Sequence, residues 1–83
     1  MAKKKLGVFV LICTNEEHEI VSIDGYETND SAIKAMGEAF DSQTQVYMDE
    51  GYSGLNIRRE LGMRSASVGV SQNDKYEWLI KEI

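Results

Sequence analysis

Leu6-Gly7-Val8-Phe9-Val10-Leu11-Ile12-Cys13 is the stretch on which the fold turns. It comes after three lysines, Lys3 to Lys5, and runs into Asn15-Glu16-Glu17-His18-Glu19. A basic start and a short apolar run are the outline of an export signal. The neighbouring residues do not fit one: no small-x-small cleavage site lies beyond Thr14, and Ile12 stands before Cys13 where lipid attachment would want a small residue. The run is also far short of the ~20 residues that cross a bilayer. The stretch therefore reads as part of the folded protein, a strand with apolar side chains on both faces, as befits the interior of a sheet.

Working outward from that strand, His18 to Ile23 alternates weakly and predicts a second strand that folds back on the first, with Asp24-Gly25 as a turn or bulge after it. "YETND" supplies the start of a helix, since Thr28, Asn29 or Asp30 can accept an unpaired backbone N–H of the first turn. From about Asp30 to Glu50, Ile33, Met36, Phe40, Thr44 and Tyr47 gather on one side of a helical wheel. Glu38, Asp41, Gln45 and Asp49 gather on the other. Gly51 is placed to end this helix in a left-handed cap. Asp49 and Glu50 oppose the helix dipole at its C-terminus, which weighs toward function or early fraying.

Residues 52–64 read either as a short helix closed by Gly62 or as an extended piece. Ala66, Val68 and Val70 alternate with small polar residues as a half-buried strand. "SQND" is a turn, and the last strand carries Tyr76, Trp78 and Ile80 on one face and Glu77, Leu79 and Lys81 on the other. The expectation is a single α+β domain over residues 1–83, ordered β-β-α-β-β. One long amphipathic helix packs on one face of a mostly antiparallel four-stranded sheet. One helix cannot cover both faces of the first strand, so either residues 52–64 or a second chain, as in a homodimer, must cover the other.

The formal charge is −5, but its distribution says more. Between Asn15 and Glu50 ten acids face the lone Lys34, whereas Arg58, Arg59 and Arg64 outnumber Glu60 between Gly51 and Arg64. An acidic middle disfavours direct nucleic-acid contact, which needs a basic footprint, and favours a protein partner with a basic surface. A single cysteine, within the apolar strand, excludes an intrachain disulfide and suits a buried residue in a reducing cytoplasm.

Catalytic chemistry finds little footing. His18 stands alone between two glutamates, best read as a solvated turn residue, and no third group orients it toward Cys13. Paired metal-ligand spacings are missing, "DGYETND" lacks the ligand period of a calcium loop, and Gly51 and Gly54 form no phosphate fingerprint. The expectation is a protein without enzymatic activity, metal or cofactor.

Two sets of residues are candidates for binding. Glu16, Glu17 and Glu19 on the hairpin turn, with Glu38, Asp41 and Asp49 on the outer helix face, form an acidic surface. It can present carboxylates to a basic groove, or it can be a solvated exterior. Arg58, Arg59 and Arg64, beside Tyr52, can hold a nucleotide or other anion across a dimer interface, or can neutralise the acidic helix.

The tail "SASVGVSQNDKYEWLIKEI" and the helix entry "YETNDSAIKAMGEAF" resemble those of small uncharacterised acidic accessory proteins of phages and mobile elements of Firmicutes. The resemblance covers about half of the chain and carries no functional residue across. It implies a setting, a phage or prophage protein that binds, or binds and inhibits, a host protein in the host cytoplasm. The arginine-rich stretch over 52–64 departs from a uniformly acidic chain.

Overall fold

The computed structural model describes residues 8–83. Lys3 to Lys5, and Leu6 and Gly7 of the predicted first strand, lie outside them. The elements are β1 (Phe9–Thr14), β2 (Ile20–Tyr26), α1 (Asn29–Asp49), a short 3-10 turn (Gly54–Asn56), β3 (Arg58–Leu61), β4 (Ser65–Ser71) and β5 (Asp74–Glu82). The fold is α+β, and its sheet has five strands in the order β2-β1-β5-β4-β3, every pairing antiparallel. The expected four strands are thus corrected to five. The added strand is β3, because Arg58 to Leu61 find backbone partners along Gly69 to Ala66 of β4. Asp24-Gly25 is neither turn nor bulge: β2 runs on through both to Tyr26 and pairs them in register with Leu11 and Val10 of β1.

β1 is interior, flanked by β2 and β5. Its turn into β2 is organised by Asn15, whose side-chain oxygen accepts from the backbone N–H of Glu17 at 2.9 Å and of Glu19 at 3.0 Å. His18 closes this loop with φ +63°, a left-handed conformation such hairpins require and glycine or asparagine would adopt more easily. β2 therefore begins two residues later than the alternation predicts, and a bulge opposite Cys13 and Thr14 leaves Val21 out of the ladder.

Thr28 caps α1 by accepting from the Ser31 backbone N–H at 3.0 Å. At the other end Tyr52 N–H donates to the Tyr47 carbonyl and Gly51 N–H to that of Met48, the paired bonds of a Schellman motif. Gly51, at φ +103°, makes the reversal. The Tyr52 ring stands edge-on to Tyr47 with centroids 6.0 Å apart, the apolar contact that accompanies such a cap. These bonds satisfy the last carbonyls, so the helix reaches Asp49 although no basic residue lies in its last turn.

The buried side of α1 is Met36, Phe40, Thr44 and Tyr47, as the wheel predicts, with Ala32 fully buried in place of Ile33, which is only partly buried. It packs on Leu11 and Cys13 of β1, Trp78 and Ile80 of β5 and Ala66 and Val68 of β4, one layer of core between helix and sheet. Each large side chain taken wholly from water here contributes roughly 1.5–3 kcal/mol.

Among the described residues nothing covers the opposite face. Residues 52–64 do not fold over it but lengthen the sheet at its edge, and the alternation of β1 leaves Val10 and Ile12 half-buried there.

Two glycines near one helix separate local conformation from packing. A Cβ at Gly37, inside α1, would meet no atom within 4 Å. Gly37→Ala should therefore stabilise by about 0.5–1 kcal/mol through the unfolded chain. Gly51→Ala, equally free of clash but left-handed, should cost about 1 kcal/mol. Urea midpoints moving in opposite directions, with unchanged slopes, would establish both.

Candidate functional site

The acidic residues divide between two places. Glu16, Glu17 and Glu19 occupy the β1–β2 loop, where Glu19 also accepts from the Asn15 side-chain amide at 3.1 Å. Glu38, Asp41 and Asp49 lie on the solvent side of α1, and Asp49 accepts from Gln45 at 2.9 Å. Along that helix the three carboxylates keep to one side, because the step from Glu38 to Asp49 comes within about 20° of three whole turns and Asp41 lies about 60° from Glu38.

One of them is engaged. Arg59 on β3 turns toward the helix, donating through Nη2 to Asp41 Oδ1 at 2.9 Å and through Nε to Thr44 Oγ1 at 3.1 Å. Its guanidinium lies over Phe40, 4.5 Å from the ring centroid, and Phe40 in turn meets Trp78 edge-on at 6.3 Å. Asp41 is three-quarters exposed, so the ion pair itself contributes under about 1 kcal/mol. Stacking on Phe40 and the bond to buried Thr44 do more to tie the sheet edge to the helix.

The arginines do not converge. Strand alternation sends Arg58 to the uncovered face, opposite Gly69, while Arg59 faces α1. Arg64 sits in the β3–β4 turn with its guanidinium 5.5 Å from the Phe9 ring centroid, and Tyr52 belongs to the helix cap. The neutralising role weighed for this cluster is the one Arg59 fills.

The uncovered face carries two shallow depressions, of about 560 and 470 Å³. Ser65, Ser67 and Gly69 of β4 are too small to fill the space between β3 and β5, and Glu60 and Glu77 line both hollows. Neither Cys13 nor His18 lines them. His18 is exposed on its turn, and Cys13 is buried in the core beneath α1, where burial pushes its thiol up from the ordinary 9.0. Among the described residues no group of acids, histidine and cysteine is arranged to hold a metal ion, and no helix is long and apolar enough to cross a membrane. The chain matches no protein-family model, no curated protein and no solved structure.

Sequence reasoning missed the Tyr47–Asp74 hydrogen bond, 2.9 Å between helix and the start of β5. Burial, and then the hydrogen bond to Asp74, hold the Tyr47 phenol well above its ordinary 10.0. The amphipathic pattern marked Tyr47 as core, but a hydroxyl's partner 27 residues away leaves no trace in periodicity.

Cys13 and Tyr47 both keep their protons in the fold beyond the pH at which an unfolded chain would lose them. The contribution of these two groups to stability is therefore level below the thiol's ordinary 9.0 and falls as pH rises past it and past the phenol's 10.0. Urea midpoints taken from about pH 8 to above about pH 10 should show this decline, shallower in Tyr47→Phe.

Proposed function

We propose that this chain is a non-enzymatic binding module that engages a protein with a basic surface through the acidic outer side of α1 and the β1–β2 loop. The observation that carries the reading is how little of this charge is answered within the molecule. The described residues form two ion pairs, Asp41 with Arg59 and Glu77 with Lys75, and neither involves Glu16, Glu17, Glu19, Glu38 or Asp49. Glu38 and Asp41, three residues apart on the helix, repel by a few tenths of a kcal/mol, an amount that the Arg59 pair offsets only in part. A cationic partner removes that repulsion, speeds its own encounter and gains charge-assisted bonds. The Arg59 clasp then serves the surface by fixing the presenting helix on the sheet. The resemblance to phage accessory proteins supplies the setting, a host protein as the partner in a reducing cytoplasm.

Charge reversal tests it. Glu38→Lys with Asp49→Lys leaves the Asp41–Arg59 clasp intact and should abolish salt-sensitive capture of the partner from host lysate. Asp24→Lys with Glu82→Lys, the same change of net charge elsewhere, should retain it. Equal capture by wild type and both variants, or equal loss in both, would sink the proposal.

A further inference from the structure

The face of the sheet turned away from α1 is apolar on one half and charged around it. Strand pairing sets Leu79, Ile12 and Ile23 side by side in one row across β5, β1 and β2, with Ile20 one row along. Leu79, Ile23 and Ile20 are 44, 55 and 59% exposed, unusual for adjacent aliphatic residues on so small a domain. On β5 the row is bracketed by Glu77 on one side and Lys81 on the other, each about 6.8 Å from Leu79 along the strand.

That bracket is self-complementary, and we propose that a second copy of this chain covers the face. The two sheets pack with strands nearly aligned about a two-fold axis running across the strands through Leu79, Ile12 and Ile23. Such an axis lays each of these three on its own counterpart and turns the flanks end for end, so that Glu77 of each copy meets Lys81 of the other, twice over. An axis parallel to the strands through β1 would instead set Glu77 on the partner's Ile20, an unpaired carboxylate pressed on apolar surface. Pairing through the edge strand β2 is opposed by the bulge at Val21, which breaks its ladder. Five strands about 4.8 Å apart and some 20 Å long project roughly 500 Å², and protruding side chains bring the accessible area toward the ~800 Å² per partner of a standard interface. Lys75 lies 3.7 Å from Glu77 within each chain and holds that carboxylate in place on the face. Both acidic helices face outward in this arrangement, so the dimer is independent of the surface proposed for partner binding and would present it twice.

Sedimentation velocity over a wide concentration range should show the wild type moving from monomer toward dimer. Ile23→Lys should abolish the shift. Glu77→Lys and Lys81→Glu should each weaken association about tenfold or more, while the double exchange, which restores opposite charges across the axis, should recover it to within about threefold. Circular dichroism of each variant would establish that it is folded. A wild type that stays monomeric up to millimolar concentration would overturn the proposal. So would association indifferent to Ile23→Lys, or a double exchange no better than either single one.

Discussion

The pairing of β1 with β5 is the constraint on which the rest depends. It joins the first described strand to the last, residue for residue from Phe9 opposite Glu82 to Thr14 opposite Glu77. Without it the chain is a hairpin at one end and a three-stranded meander at the other, each too small to bury a face of its own. With it, Leu11 lies beside Ile80 and Cys13 beside Trp78, and the four join Ala66 and Val68 of β4 in the floor onto which α1 packs.

That floor also dictates the place of α1. The helix carries the chain from one edge strand, β2, to the other, β3, and so crosses the whole sheet. Its ends are secured locally, by Thr28 and by the Gly51 reversal, whereas its middle is secured by side chains from elsewhere: Arg59 over Phe40, Tyr47 to Asp74. The acidic side faces water because Met36, Phe40 and Tyr47 leave it nowhere else to go. Uncompensated charge outside and close packing beneath are two results of one amphipathic period.

Much of this is legible in the residues. Apolar side chains on both faces of Leu6 to Cys13 mark an interior strand, the three- and four-residue spacing from Ile33 to Tyr47 marks the helix, and alternation marks β4 and both faces of β5. The 52–64 segment was not legible, because β3 has no buried residue and is a strand only through its backbone bonds to β4. Sheet edges of that kind depend on a partner's ladder and leave little pattern behind. The binding surfaces were half legible: charge segregation shows in the sequence, but that Arg58 and Arg59 point to opposite faces emerges only once β3 is known to be extended.

The distance in sequence between β1 and β5 has an effect before the protein is complete. During synthesis at about 5–20 residues per second, several seconds separate the appearance of Leu11 and Cys13 from that of Ile80 and Trp78. Throughout that interval the most apolar strand of the molecule has only β2 beside it. The emerging chain is thus an obligate waiting state, with a sticky ribbon on show until β5 arrives to complete the sheet.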